Sequence, residues 1–329
     1  MKIIAAIIGT GVGLKHLEAI DNYKNSLVKI ICEKDKTKIK FLKKKFPQIE
    51  IVDNEDKIFL DKEINLVSIA SYDNYHFSQI VKCIKNKKNI IVEKPMCLKI
   101  SELKKINKLL INKNIKILSN LPLRVNSFFL NLKKKIPKNM IYYMEADYIW
   151  GRPNKLLDWR SKIKDYSITL GAGIHVIDLV MWLLNSRPIS VQSFGNNLGT
   201  RKTTFKKKSF ALFVFEFPNE LIVKITANAA SIYNHFHELK IFTKNETITH
   251  CFAGTHHFIK KNKKISCHKI NAKYPDKKNR KKLIKNFIDN LLDKSIKPII
   301  SFKEQSDLMS VCFAADKSMN LNKRIKINY

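Results

Sequence analysis

The chain has 329 residues, 45% of them hydrophobic, which suits about two ordinary folded domains and excludes a disordered or fibrous protein. Its formal charge of +34 is extreme, but only seven of the 62 basic residues are arginine. Lysine instead runs through nearly every predicted element beside abundant isoleucine and asparagine, a bias that fits an AT-rich coding sequence. A dedicated nucleic-acid surface needs arginine forks and a recognisable module, so no specific nucleic acid is expected as partner.

Taken in chain order, the first apolar run, residues 3–8, is one strand long and is followed at once by glycines. It is too short for a signal peptide or a membrane span, so a cytoplasmic protein without a membrane partner is expected. The six cysteines form no C-x-x-C pair and are expected to be free thiols. Further strands are predicted at residues 27–32, 50–52, 66–70, 89–92 and 115–119, with lysine-rich amphipathic stretches between them. This β-α rhythm predicts an α/β fold: a doubly wound parallel sheet of the Rossmann type over residues 1–121. After Arg124 the rhythm changes to a helix around 173–184 and strands at 189–194, 209–217, 221–227 and 238–242, ending in a helix over 303–319. Residues 122–329 are therefore expected to form an α+β domain with a large, open, mainly antiparallel sheet that binds substrate and makes a dimer or tetramer. The strand at 209–217 carries that last expectation, because Phe213, Phe215 and Phe217 alternate with Leu212 and Val214 and leave both faces apolar.

The glycine run Gly9-Thr10-Gly11-Val12-Gly13 follows the first strand and opens a helix, the setting in which backbone approaches a pyrophosphate. Its spacing is G-x-G-x-G, with Leu14 at the usual final glycine. Glu33 ends the second strand, where an acid accepts hydrogen bonds from the adenosine ribose and disfavours a 2′-phosphate. NAD is the expected cofactor, with NADP open because Lys34 partly offsets that repulsion.

Downstream come Ser71-Tyr72-Asp73-Asn74-Tyr75-His76, Ile91-Val92-Glu93-Lys94-Pro95, Arg124, Trp159-Arg160 and Gly171-Ala172-Gly173-Ile174-His175-Val176-Ile177-Asp178. This series resembles the Gfo/Idh/MocA oxidoreductases over essentially the whole chain. The resemblance implies that Lys94 contacts substrate and the nicotinamide ribose and that His175 does acid/base work. It also implies cofactor contacts at Ser71, His76 and Glu93. Independently of the resemblance, oxidising a secondary alcohol needs a base such as a neutral imidazole, and a cation beside the developing alkoxide. Lys94 and His175 supply both.

Two departures stand out: Gly171 replaces the acid usual four residues before the histidine, and Tyr72 and Asp73 replace the usual proline and asparagine. Asp178, three residues after His175, orients the imidazole, contacts substrate or is a buried structural acid. Arg124 and Arg160 suit hydroxyls, carboxylate or phosphate, or are ion-paired. Tyr233, His235 and His237 alternate on one strand face and either line the substrate pocket or face solvent. His250, Cys251, His256, His257, Cys267 and His268 match no common zinc spacing, so no metal is expected. The reaction expected is hydride transfer to or from a ring hydroxyl of a sugar, sugar nucleotide or cyclitol. The alternative is a dinucleotide sensor without efficient turnover.

Overall fold

The computed structural model describes residues 2–21, 23–136 and 138–329. The chain divides into two compact units, residues 1–122 with 278–306, and residues 123–277 with 307–329.

The first unit alternates β1 (Ile3–Ile8), α1 (Gly13–Ile20), β2 (Ser26–Cys32), α2 (Lys36–Lys45), β3 (Glu50–Val52), α3 (Asp56–Leu60), β4 (Leu66–Ile69), α4 (Asp73–Lys85), β5 (Asn89–Val92), α5 (Ile100–Leu110) and β6 (Ile117–Ser119). All six strands are parallel, in the order β3-β2-β1-β4-β5-β6. The order reverses between β1 and β4, the crevice where open α/β sheets bind ligands. Helices cover both faces, so β1, with Ile3, Ala5, Ala6, Ile7 and Ile8 buried, reads as a continuous apolar run rather than an alternation. The Asp35 side chain accepts from the Lys38 amide at 3.0 Å and starts α2, and Lys43, Lys44 and Lys45 lie in its last turn, where cations favour the helix dipole.

The second unit contains α6 (Ser127–Lys135), β7 (Ile141–Ile149), the short helices α7 (Asn154–Leu157) and α8 (Trp159–Lys162), a π-turn (Thr169–Gly173) running into α9 (Ile174–Leu184), then β8 (Ser190–Asn196), β9 (Phe210–Glu216), β10 (Ile222–Asn228), β11 (Phe236–Thr243), β12 (Glu246–Cys251), β13 (Gly254–Lys261) and β14 (Lys264–Lys269). Next in the chain, α10 (Lys281–Leu292) belongs to the first unit, where Glu18 of α1 pairs with Lys281 at 3.1 Å. The chain closes with α11 (Phe302–Leu321) and β15 (Ile325–Lys326). Nine strands form one sheet, β14-β13-β12-β11-β7-β10-β9-β8-β15, antiparallel except where β7 and β10 run parallel. Along β7, Met144, Ala146 and Tyr148 are buried on the inner face, while Tyr143, Glu145 and Asp147 alternate onto the open one. In β9 the alternation is equally clean: Phe213 and Phe215 are buried, and Leu212 and Val214 are half-buried on the open face. Asn185 in the left-handed region, φ 52°, ends α9. Among the described residues no helix is long and apolar enough to cross a membrane.

Several elements differ from the sequence expectation. The strands β7, β12, β13, β14 and β15 and the helix α10 were not expected as separate elements. The reason is plainest in β14, where every residue is exposed: with no buried face there is no apolar alternation to read.

Candidate active site

Gly9 turns the chain off β1 with φ +85°, and a Cβ there would meet the Ala70 carbonyl oxygen at 2.6 Å, so only glycine fits beside the end of β4. Gly13 serves packing instead: a Cβ would come within 2.9 Å of Ile7 Cγ2, where α1 lies on β1. Glu33, just past β2, binds the turn itself. Its Oε2 accepts from the Thr10 hydroxyl and from the Thr10 amide at 3.2 Å, and Oε1 accepts from the amides of Lys34 at 2.9 Å and Asp35 at 3.1 Å. Burial works to raise the Glu33 carboxyl, but these hydrogen bonds outweigh it and hold the group below its ordinary range.

Glu93, Lys94 and Pro95 leave β5 at the same carboxyl edge, with a cis peptide between Lys94 and Pro95. The turn is gripped from both sides. His76, fully buried on α4, places Nδ1 2.7 Å from the Pro95 carbonyl oxygen and Nε2 3.1 Å from that of Ser71. Ser71 gives its hydroxyl to Gln79 at 2.7 Å. On the other side, Glu93 Oε1 lies 2.9 Å from His16 Nε2 and accepts from the Asn120 amide at 2.6 Å. Burial tends to raise the Glu93 carboxyl, and His16, Asn120 and the charge of Lys94 together hold it below the usual carboxylate range.

The second unit holds the other candidate groups. His175, half-buried in the first turn of α9, stacks on Tyr148 with ring centroids 5.7 Å apart and planes 12° from parallel. His237 approaches both, edge-on to Tyr148 at 4.7 Å and to His175 at 5.9 Å, and hydrogen-bonds Tyr274 through Nδ1. His235 adds its ring to Tyr148 at 5.4 Å and hydrogen-bonds the carbonyls of Ile149 and Trp150 through Nδ1. The Arg160 guanidinium lies over Trp159 at 4.1 Å and Trp150 at 5.3 Å. The Trp150 indole N–H is buried with no hydrogen-bond acceptor among the described residues. Of the three residues expected on one strand face, His237 lies in β11 while Tyr233 and His235 precede it; His235 and His237 join the rings around His175, and Tyr233 is 47% exposed and packs edge-on against Phe252.

Asp178 and Arg124 are partners of one another. Both are buried, with Arg124 Nε 3.1 Å from both carboxylate oxygens and Nη2 2.7 Å from Oδ1, the fork geometry of a charge-assisted pair. Gly171 has an equally local explanation: a Cβ there would lie 1.9 Å from the Tyr166 hydroxyl and 2.4 Å from its Cζ, so a buried tyrosine fills the space that an acid would need. Thr169, in the same π-turn, gives its hydroxyl to Asp316 at 2.5 Å. Among the described residues, no three His, Cys, Asp or Glu side chains gather as metal ligands.

Residues 3–120 match the model of an oxidoreductase family with an NAD-binding Rossmann fold, and residues 140–249 match the C-terminal domain model of the same family. The chain belongs to the Gfo/Idh/MocA oxidoreductase family. Within it, scyllo-inositol 2-dehydrogenase (NADP(+)) of Bacillus subtilis (strain 168) is 27% identical over 171 residues, 51% of this chain and 46% of that protein. The matched stretch thus spans about half the length of that curated relative. The fold is that of scyllo-inositol dehydrogenase from Lactobacillus casei, solved with NAD(H) and scyllo-inositol, at TM-score 0.80, 15% identity and 99% of each chain. Levoglucosan dehydrogenase, solved with NADH and levoglucosan, superposes at TM-score 0.85 with 16% identity over the full length of both chains.

The glycine turn of this Gfo/Idh/MocA chain fits the family's dinucleotide. Among the described residues, no atom beyond its chain neighbours lies within 4 Å of a Cβ built on Gly11, so the backbone there is open to a ligand, whereas Gly9 and Gly13 are closed by neighbours. Val12, 49% exposed, flanks that opening. The ring cluster is what sequence reasoning missed: Tyr148, Trp150 and Tyr274 come from a strand and a loop carrying no motif. His16 was missed although its signal was present. Gly13, His16, Leu17 and Ile20 follow i, i+3, i+4, i+7 spacing, which turns His16 inward with the buried face of α1.

Proposed function

We propose that this chain is a nicotinamide-dependent dehydrogenase that interconverts a ring hydroxyl and a ring ketone on a cyclitol or sugar. The observation that carries the reading is the setting of His175. Its half-buried imidazole is held against the flat face of Tyr148 and beside His237, in an aromatic setting of the kind on which the apolar face of a hydroxylated ring packs. His175 takes the hydroxyl proton as general base. Lys94 stabilises the alkoxide as it forms and binds the substrate oxygen. Gly9, Thr10, Gly11, Val12 and Gly13 hold the pyrophosphate, Glu33 the adenosine ribose, and Ser71 and the Lys94 turn the nicotinamide end. A bound nicotinamide supplies the hydride acceptor. Glu33, charged and close to the turn, favours NAD over NADP.

Fluorescence titration with NADH, followed by a screen of cyclitols and sugars, tests the reading. Lys94→Ala and His175→Ala should each lower turnover by about a thousandfold while NADH affinity stays within a few-fold. Wild-type rates in both variants would overturn the assignment. A second reading, a dinucleotide sensor without turnover, is favoured by Tyr166 filling the place of an acid at Gly171; tight NADH binding with no substrate reduced would support it.

The open sheet face supports a homo-oligomer. Phe194, Leu212, Val214, Ile222, Tyr143 and Phe242 lie on it around the linked charges Lys224, Glu145 and Lys240. A monomer in sedimentation at micromolar concentration would sink this contact.

A further inference from the structure

We propose that His16 is a positioning residue: its imidazole clamps the Glu93 carboxylate and thereby fixes the turn that carries Lys94. This inference rests on the dehydrogenase reading for its consequence in turnover, but its geometry lies wholly within the first unit. His16 is 1% exposed, on the inward face of α1. Its Nδ1 lies 2.7 Å from the Ser68 hydroxyl in β4, and its Nε2 lies 2.9 Å from Glu93 Oε1 just past β5. The pattern fits an imidazole that accepts from Ser68 and donates its Nε2 proton to Glu93. Asn120, just past β6, donates to the same Glu93 oxygen at 2.6 Å. Three strands and one helix therefore converge on one carboxylate.

The groups facing Glu93 are His16 from α1, neutral Asn120 after β6, and Lys94 next in the chain; Ser68 faces His16 from β4 and is neutral. Without the imidazole this half-buried carboxylate keeps Asn120 as its remaining side-chain donor here and is freer to swing away or take up a proton, and either change weakens the negative charge set beside Lys94. His16 stands in the first turn of α1, directly after the glycine turn, so the clamp also ties the dinucleotide-binding backbone to Lys94. His76 secures the far side through the Pro95 carbonyl. The two buried histidines thus bracket the lysine without occupying its place. Neither needs to touch substrate.

The experiment compares wild type, His16→Leu and His16→Gln, since the glutamine amide restores one donor toward Glu93. Trace acetylation of the full-length protein across the alkaline range, read peptide by peptide in a mass spectrometer, reports how Lys94 titrates without any substrate. In His16→Leu the Lys94 midpoint should fall by about one pH unit, because its anionic neighbour is lost, and in His16→Gln it should return toward wild type. With a substrate in hand, kcat should fall by up to about a hundredfold in His16→Leu, with the KM for that substrate nearly unchanged. Unchanged Lys94 titration in a folded His16→Leu protein would overturn the proposal, as would equal shifts in the leucine and glutamine variants. If His16→Leu does not fold, Ser68→Ala, which frees the ring to turn, should give a smaller shift of the same sign, and no shift there also overturns it. Absence of turnover in every variant, with the Lys94 shift present, would count against the dehydrogenase reading and leave the clamp standing.

Discussion

The groups around Lys94 and those around His175 are built on opposite plans. Around Lys94, short polar side chains at one edge of a parallel sheet are joined by direct hydrogen bonds: Ser68 to His16, His16 and Asn120 to Glu93, His76 to the Pro95 carbonyl. Around His175, the neighbours are rings from β7, β11 and the 274 loop, stacked or set edge-on, and one turn further along α9 Asp178 is buried in its pair with Arg124. Hydrogen bonds to backbone and carboxylate leave little freedom of position, whereas ring packing depends on everything that fills the space around it. The first plan should therefore tolerate loss of function without loss of fold. The second should not.

The sharpest way to break that contrast is Arg124→Leu. It leaves Asp178 buried and charged without its fork, and should cost about 3–5 kcal/mol of stability in urea unfolding. Arg124→Met combined with Asp178→Leu should recover most of the loss; a single variant as stable as wild type would show that the pair does not hold α9 in place.

Next in size is a pH effect in the same packed region. His250 stacks on Phe128 at 4.5 Å, and burial pushes its imidazole from 6.5 down to about 4. Because the folded value is depressed, the unfolded chain binds the extra proton. The neutral ring's contribution is full above pH 6.5 and is lost as pH falls toward about 4. Over that window wild type should lose on the order of 3 kcal/mol that His250→Phe retains. Parallel stability curves for the two proteins would contradict this.

Gly171→Asp is the intermediate case. The new side chain collides with Tyr166, so it should destabilise by about 1–3 kcal/mol rather than improve turnover. Tyr166→Ala in the same chain should relieve the clash, and a stable, faster Gly171→Asp enzyme would refute the steric account. The smallest expected effect belongs to the hydrogen-bonded plan. Glu33→Gln, which keeps one acceptor oxygen for the turn, should cost only about 1 kcal/mol of stability while weakening NADH by about tenfold and narrowing its advantage over NADPH. A large loss of stability there would erase the distinction between the two regions.

Legibility in the sequence followed the same division. The glycine turn, Glu33 and the Glu93-Lys94-Pro95 turn could be read because each stands at the end of a short apolar strand, and a parallel sheet collects such ends along one edge. His175 could be read as a residue but not as a site. Its neighbours Tyr148, His237 and Tyr274 are remote in sequence, and only strand pairing, with His237 opposite Tyr148, brings them together. Arg124 was singled out as a substrate group or an ion-paired residue, and Asp178 as a partner of His175 or substrate or a buried structural acid. That they pair with each other depends on the side-chain fork and on the burial of α9, neither of which spacing encodes. The return of α10 to the first unit was equally silent, since an amphipathic helix does not name the surface it covers.

By itself, then, the sequence determined the two kinds of sheet and the dinucleotide turn and singled out Lys94 and His175 as candidates, because period, glycine placement, strand ends and short motifs are local properties of the chain. Only the tertiary structure decided what holds those side chains: His16 and His76 bracketing Lys94, rings around His175, Tyr166 in the space at Gly171. Those are contacts between residues far apart along the chain, and their geometry exists only once both sheets have formed.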